Sequence, residues 1–385
     1  MKWCTDFILR HKMFFMIVLS LLLIKIIWVE WSCWGNGSFD KEKNDLLQRK
    51  NYLVDKIIVE PQQLINEMPS GIGVQFQGEW ALYSCSMLAE ALTNMSELYP
   101  EIKQNAVAQV DSLIQIVMSR ELRYYDMMRW DEDPLETLDG DNSHVSYLSH
   151  LSWMIGNFRR LGGDERYNNL HDSICEAMNR RIINSPIMNL PTYPAEPVYV
   201  PDMMLAIVAL FDYASLNNGT YYSTVNDWLR RAKSEWLDAE TGLLVSFLDD
   251  NGKTDAPVRG SYSALNCYYL TKIDADFAKE QYDRLKTAFK QRFPISGIKE
   301  YYDRSCWFGL DIDAGVIILN LSPSGTAFAI GSATFFNDDD FRGSVLKTAE
   351  IVGHTVKWND KRHYLLANIA LVGEAITLAM RTNIR

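Results

Sequence analysis

The sequence predicts an all-α protein in which an (α/α)6 toroid follows an N-terminal transmembrane helix. Three observations support this prediction: a long apolar run near the start, an amphipathic helical pattern that recurs, and an apolar helical run before each recurrence. They divide the chain into a cytoplasmic N-terminus, a membrane anchor, a linker with an outer helix, and a toroid domain, with ranges 1–12, 13–34, 35–70 and 71–385.

The apolar run over residues 13–34 is interrupted only by Lys25 and Glu30. Basic residues precede it, which places the N-terminus in the cytoplasm under the positive-inside rule. The residues before Cys33 are larger than those at a signal-peptide or lipoprotein cleavage site, so the sequence favours an uncleaved anchor over a cleaved signal peptide. We therefore expect a single-pass membrane protein whose toroid lies outside the cytoplasm.

Five segments share a tight polar turn, an aromatic residue and an amphipathic helix with one charged face. Their aromatic residues are spaced by about 54 to 68 residues and are Tyr99, Tyr167, Tyr221, Phe277 and Phe341. Self-similarity at a fixed period is typical of helical repeat architectures. These segments are the predicted outer helices, together with a further outer helix over about residues 41–68.

A more apolar helix accompanies each outer one, as expected for helices buried inside a ring. These inner helices are predicted to begin near Glu79, His144, Asp202, Gly260, Asp311 and His363. An open superhelix of helical hairpins fits the same period. The long apolar final helix, from Tyr364, favours a closed ring, because an open array needs a polar cap at its end.

The composition excludes several classes of partner. The formal net charge of −11 over 385 residues leaves no basic stripe for nucleic acid. The six cysteines have no metal-ligand spacing, and the chain carries no phosphate-binding or dinucleotide-binding motif. Cys85, Cys175 and Cys267 lie in apolar helical patterns, which is typical of small buried side chains. We expect no metal, no cofactor, and a small-molecule or glycan substrate.

In a closed ring, the segments that lead into the inner helices line one end of a central funnel, where helix N-termini also offer free N–H groups. These segments are rich in carboxylates and aromatic residues. The candidate substrate-binding residues there are Glu79, Asn142, Glu196, Tyr199, Arg259, Asp311 and Asp313. Asp311 or Asp313 is expected to bind hydroxyl groups, and Arg259 an anionic group. Such a funnel suits general acid–base chemistry.

The candidate catalytic residues are His150, Asp202 and Tyr147. Tyr147 and His150 are three residues apart in a predicted helix, so they share a face that we expect to point into the funnel. His144 is six residues before His150 and does not share that face, which argues against a two-histidine metal site. Each candidate also has a structural interpretation: Asp202 as a helix cap and His150 as a packed core histidine.

The segments YLSHLSWMIGNFRRLGGDERY and AEPVYVPDMMLAIVALFDYASLNNGTYY resemble the linalool dehydratase/isomerase family, and the resemblance extends over about residues 75–380. It implies an α/α toroid with lyase or isomerase activity and assigns His150 to the family's active-site histidine. The family's two active-site cysteines are absent, because Ala195 precedes Glu196 and Asp202 stands at the second position. The chain is more similar to membrane-anchored relatives that carry Pro-Asp at 201–202 and Asp-x-Asp-x-Gly at 311–315.

Three functions follow from these observations. The first is an acid–base lyase or isomerase, in which His150 and Asp202 exchange protons with a hydroxylated substrate. The second is a glycan-processing hydrolase or lyase with paired carboxylates, and the third is a toroid that binds a glycan or lipid without catalysis.

The floor of the funnel distinguishes a terpenoid substrate from a sugar. A terpenoid needs an apolar floor, for which the candidates are Met203, Met204 and Trp153. A sugar needs polar groups there, for which the candidates are Asn142, Arg259 and Asp311. By residue count, the sequence favours the polar floor.

Overall fold

The computed structural model describes residues 12–32, 39–69, 71, 73–254 and 256–384. In chain order its α-helices are α1 (Lys12–Ser32), α2 (Phe39–Ile57), α3 (Pro61–Glu67), α4 (Val74–Leu98), α5 (Lys103–Met118), α6 (Arg120–Trp130), α7 (Val145–Arg160), α8 (Asn168–Asn184), α9 (Val200–Leu216), α10 (Tyr222–Glu235), α11 (Gly260–Leu270), α12 (Ala275–Phe289), α13 (Pro323–Phe335), α14 (Asp339–Gly353) and α15 (Leu371–Arg381). The strands are β1 (Val198–Tyr199), β2 (Phe247–Leu248), β3 (Lys290–Gln291), β4 (Gly297–Ile298), β5 (Phe308–Asp311), β6 (Gly315–Ile318), β7 (Thr355–Trp358) and β8 (Lys361–Tyr364).

Within the described residues, six helices form a closed inner ring in the order α4, α7, α9, α11, α13 and α15. Each contacts the next, and α15 contacts α4. Helices α2, α5, α8, α10, α12 and α14 pack on the outside of this ring. Burial explains the two layers: every residue of α11 is buried, whereas α10 buries only the stripe that includes Val225, Trp228 and Leu229.

The polar turns of the sequence repeat begin the outer helices. Asp274 caps α12 by accepting a hydrogen bond from the Phe277 N–H at 3.0 Å, and Asp338 caps α14 through the Phe341 N–H at 3.2 Å. Both phenylalanine side chains are buried in the core. The recurring aromatic residue therefore anchors the first turn of an outer helix to the ring.

Helix α2 joins the beginning of the ring to its end through largely buried ion pairs. Arg49 Nη1 lies 2.6 Å from Glu374 Oε1, and Arg381 Nη1 lies 2.7 Å from Asp45 Oδ2. Removing one partner of a buried pair costs about 3–5 kcal/mol, because the other charge is left without compensation. These contacts fix α15 against the first part of the chain.

The prediction of an all-helical toroid is wrong in its details. The described residues also form four two-stranded antiparallel sheets, which pair β1 with β2, β3 with β4, β5 with β6, and β7 with β8. Two predicted inner-helix starts fall in them, since Asp311 ends β5 and His363 lies in β8. Between β5 and β6 the chain reverses its direction. Gly315, at the end of this turn, has a φ of +84°, which glycine adopts without strain.

The predicted transmembrane helix is also wrong. Helix α1 has 21 residues, but in the described part of the chain no helix has both the length and the apolar character that crossing a bilayer requires. Lys25, in the middle of α1, pairs with the outer helix α14: its Nζ lies 3.3 Å from Glu350 Oε1 and 2.7 Å from His354 Nδ1. The remaining parts of the predicted cytoplasmic segment and anchor, residues 1–11 and 33–34, lie outside the described residues.

Candidate active site

A cavity of about 630 Å³ lies where the N-terminal ends of the inner helices converge. Its lining includes residues from the first turns of α4, α9, α11, α13 and α15, whereas none of the described lining residues belongs to α7. Cavities of this size bind drug-sized molecules. The helix starts singled out in the sequence therefore do surround one space, but α7 does not contribute to its surface.

Glu79, Asp202 and Asp313 line this cavity together, and we call them the carboxylate cluster. Asp202 is the third residue of α9, one turn beyond the N-cap residue Tyr199, so it is not the cap of its helix. The Thr192 hydroxyl donates a hydrogen bond to Asp202 Oδ2 at 2.7 Å, and the Tyr83 hydroxyl donates a longer one to Oδ1 at 3.4 Å. Side chains from two other segments thus hold this carboxylate at the cavity surface.

The environment gives two of these carboxyl groups, Glu79 and Asp202, different pKa values. Burial raises the pKa of Glu79 to about 8, with contributions from the negative charges of Asp202 and Asp313, and against the opposing effects of Tyr193 and Arg129. Burial also raises the pKa of Asp202, but only to about 6, because the hydrogen bond from Thr192 stabilises its charged form. At neutral pH, Glu79 is mainly protonated and Asp202 mainly ionised, as an acid and a base must be.

Asp313 is presented by the turn between β5 and β6. Asp311 Oδ1 accepts hydrogen bonds from the N–H groups of Asp313 and Ala314 at 2.9 and 2.8 Å. The Tyr262 hydroxyl donates a hydrogen bond to the Asp313 carboxylate. The surrounding protein raises the pKa of Asp313 by displacing solvent, and Asp311 adds to this effect.

Arg259 and Asp311 stabilise this turn and do not line the cavity, contrary to the sequence-based expectation. Arg259 Nη2 lies 2.8 Å from Asp311 Oδ2, and its Nε lies 2.5 Å from the buried Glu300 Oε1. With both ends of its guanidinium engaged by carboxylates, Arg259 is not placed to bind an anionic substrate. Its role is to fix the turn that carries Asp313.

Aromatic side chains form one wall of the cavity. Tyr199, which lines the cavity as predicted, packs edge-to-face against Phe247 and Tyr262, with ring centroids 4.9 and 6.1 Å apart. The short β1–β2 pairing sets Tyr199 opposite Phe247. Burial raises the pKa of Tyr199 to about 12, so its hydroxyl stays neutral over the physiological range.

Glu196 also lines the cavity, where it forms an ion pair with Arg129. Arg129 Nη1 lies 3.1 Å from Glu196 Oε1, and the guanidinium stacks over the Tyr193 ring at 4.2 Å from its centroid. Arg129 and Thr192 are cavity residues that the sequence analysis missed. Arg129 lies on α6, a helix outside the repeat pattern, and a threonine in a proline-rich loop gives no signal on its own.

The predicted positions of His150, Tyr147 and Asn142 are wrong. His150 is buried within α7 with its Nδ1 2.8 Å from Ser86 Oγ, and burial lowers its pKa to about 3, so it stays neutral. The Tyr147 hydroxyl donates to the Val117 carbonyl at 3.0 Å, on the outer helix α5. Asn142 is exposed on the loop before α7. His150 reaches the carboxylate cluster only through Tyr83, whose ring it contacts edge-on at 4.3 Å.

Beyond the carboxylate cluster, the cavity is mostly apolar. A part that we call the apolar arm lies between α14 and α15 and is lined by Val345, Ala349, Val352, Val372, Gly373 and Ile376. Neither set of predicted floor residues forms it. The core buries Met203, Met204 and Trp153 elsewhere, and Asn142, Arg259 and Asp311 lie outside the cavity lining.

A scan against known protein families and a search of curated proteins found no match to this chain. The resemblance to the linalool dehydratase/isomerase family therefore stays a prediction. In the part of the chain that the structure describes, no three His, Cys, Asp or Glu side chains are arranged to hold a metal ion. What characterises the site is a protonated and an ionised carboxylate beside an apolar space.

Proposed function

We propose that this protein is an acid–base lyase or isomerase, of the kind the linalool dehydratase/isomerase resemblance implies, acting on a hydroxyl-bearing carbon of an apolar substrate. One observation carries the proposal: Glu79 and Asp202 face a single, mostly apolar cavity from helices on either side of α7. Their pKa values of about 8 and about 6 suit an acid and a base at neutral pH.

Dehydration uses the two carboxyl groups in one turnover. Glu79 donates its proton to the substrate hydroxyl, the C–O bond breaks, and the oxygen leaves as water. Asp202 takes a proton from the adjacent carbon, and the electron pair of that C–H bond forms the new double bond. Transfer of the proton from Asp202 back to Glu79 restores the starting state. Isomerisation follows when the steps run in reverse with water added at the far end of an allylic system. Asp202 then returns its proton to carbon, the water oxygen bonds to the far allylic carbon, and ionised Glu79 takes a proton from that water.

The other cavity residues support this chemistry. Thr192 and Tyr83 orient the Asp202 carboxylate through the hydrogen bonds described above. Positive charge that develops on carbon as the C–O bond breaks is stabilised by the Asp313 carboxylate and by the aromatic wall that includes Tyr199. The apolar surroundings keep competing water away from the reacting carbon.

A glycan-processing enzyme also needs two carboxylates, so it is the second function that the site permits. However, a glycan carries hydroxyl groups along its whole length, and the apolar side chains of the arm cannot form hydrogen bonds with them. His150, which the resemblance assigns to catalysis, acts in this proposal as a neutral packing partner of Tyr83.

The proposal is tested by incubating the purified full-length chain with paired panels of terpenoid alcohols and acidic oligosaccharides. Thermal stabilisation reports binding, and mass spectrometry of the products reports loss of water or cleavage. We expect a terpenoid alcohol to stabilise the protein and to lose water. Glu79→Gln and Asp202→Asn should bind the same alcohol without converting it.

Tyr147→Phe is the matched control, because its hydroxyl bonds to α5 and lies away from the cavity. It should convert the alcohol like the wild type. Cleavage of an oligosaccharide, or stabilisation by an alcohol that the wild type never converts, would overturn the proposal in favour of a glycan enzyme or a binding protein.

A further inference from the structure

The apolar arm is the part of the cavity lining that α14 and α15 contribute, and neither helix carries a member of the carboxylate cluster. Residues Val345, Ala349 and Val352 recur at helical spacing, so one face of α14 forms one side of the arm. Val372, Gly373 and Ile376 of α15 form the other. An outer helix thus contributes directly to the cavity.

The polar side chains of the arm are already satisfied within the protein. The Thr377 hydroxyl donates to the Gly373 carbonyl at 2.8 Å, and the Thr348 hydroxyl to the Ser344 carbonyl at 3.3 Å. Glu374 pairs with Arg49 and accepts a hydrogen bond from the Tyr364 N–H at 2.8 Å. A ligand in the arm therefore gains from burying apolar surface more than from hydrogen bonds.

The arm also reaches the protein surface. Val352 and Leu366 line it, and they remain 55% and 45% exposed. A chain that enters from the carboxylate cluster consequently has room to extend past α14.

We propose that the arm binds the aliphatic tail of a long-chain alcohol whose hydroxyl group lies at the carboxylate cluster. This inference rests on the proposed function and adds the class of substrate, an amphiphile of lipid length. Straight-chain and isoprenoid alcohols share the required chemistry, so the test includes both.

Gly373 permits a direct test of the arm. A Cβ atom added there meets no heavy atom of the described chain within 4 Å, and the same is true of Gly343 on α14, which does not line the cavity. Gly373→Leu should place a side chain inside the arm, whereas Gly343→Leu is the matched control. Both changes replace glycine within a helix by a better helix former, so both variants should fold.

The experiment measures the Kd of hexanol and dodecanol, and of geraniol and farnesol, by calorimetry with the full-length chain. For the wild type we expect Kd to fall by up to about fourfold for each added methylene group that is buried. In Gly373→Leu, dodecanol and farnesol should bind about tenfold more weakly or worse, while hexanol is unaffected. Gly343→Leu should bind every alcohol with the same Kd as the wild type. The series in which Kd falls more steeply with chain length, straight-chain or isoprenoid, identifies the kind of tail that the arm binds.

A wild-type Kd that does not depend on chain length would overturn the inference, as would equal weakening of hexanol and dodecanol by Gly373→Leu. Turnover measured in parallel separates this inference from the proposed function. Length-dependent binding without conversion of any alcohol refutes the proposed function and leaves the tail site standing. Conversion of short alcohols without length dependence refutes the tail site alone.

Discussion

Helices α7 and α9 are neighbours in the ring, and both carry residues that the sequence marks as catalytic, yet only α9 presents one to the cavity. Tyr147 and Asp202 are each the third residue of their helix. Asp202 faces the cavity, whereas Tyr147 faces the outer helix α5. Position near a helix start therefore brings a residue to the level of the cavity, and the rotation of the helix decides whether the residue faces it.

The strongest test of this comparison is Asp202→Asn. The amide keeps the shape of the carboxylate but cannot accept the proton, so we expect kcat for an alcohol that the substrate panel shows to be converted to fall about a hundredfold to ten-thousandfold. Steady-state kinetics with the purified chain measures this loss. If Tyr147→Phe caused an equal loss while Asp202→Asn remained active, α7 and not α9 would carry the catalytic group.

The pH dependence of activity separates Asp202 from Glu79. Ionised Asp202 is required and has a pKa of about 6, while protonated Glu79 is required and has a pKa of about 8. The plot of kcat/KM against pH should be a bell with limbs near these values and a maximum near neutrality. Residual activity in Glu79→Gln should lose the alkaline limb, and a profile that rises monotonically would contradict the assignment.

The raised pKa of Glu79 should also make the free energy of unfolding decrease as pH rises. Burial favours the neutral form of Glu79, so its contribution to the free energy of unfolding is present below its usual pKa of 4.5 and is lost as pH rises through about 8. Relative to Glu79→Gln, the wild type should become steadily less stable over this interval. Urea unfolding of both proteins at a series of pH values measures the difference, which would stay constant if Glu79 were freely solvated.

His150→Ala should affect stability more than chemistry. The change leaves a cavity in α7 and removes the partner of Ser86, which should cost about 2–3 kcal/mol. Because His150 touches the carboxylate cluster only through Tyr83, kcat of the folded protein should fall by less than about tenfold. A loss of activity as large as that of Asp202→Asn, at full stability, would show that His150 transfers protons.

The smallest effect is expected from Tyr147→Phe. It removes one buried hydrogen bond to the Val117 carbonyl, worth about 1 kcal/mol, and should leave kcat unchanged. Thermal unfolding and turnover measured on the same preparation provide the comparison. Impaired turnover at an unchanged unfolding temperature would place Tyr147 in the active site.

The sequence predicted the starts of two inner helices closely and those of two others wrongly. The predicted helix start at Gly260 agrees with the start of α11, and the start near Asp202 is close to the observed Val200. The predicted starts at Asp311 and His363 were wrong because short paired strands, β5–β6 and β7–β8, precede α13 and α15. Both pairs are tight hairpins, in which Asp311 pairs with Gly315 and Trp358 with Lys361, so the helical interpretation overlooked local turns.

Five residues that the sequence analysis singled out by residue type near helix starts line the cavity, and their roles stay predictions: Glu79, Glu196, Tyr199, Asp202 and Asp313. Reasoning from residue type failed for α7, where every residue from Val145 to Phe158 is buried, so no polar face indicates which side is inside. The same reasoning failed for Arg259 and Asp311. These two residues are distant in sequence but form an ion pair with each other, so neither charge is free to bind a substrate.

The closed ring has a consequence for the order of events during synthesis. The cavity takes Glu79 from the first inner helix and Ile376 from the last, and Arg49 finds its partner Glu374 only on that last helix. While the chain is still emerging from the ribosome, α4 has no α15 to pack against, and the site does not yet exist. Activity should therefore appear only after α15 has left the ribosome, and translation that stops before α15 should yield an inactive product that exposes the apolar side of α4 to chaperones.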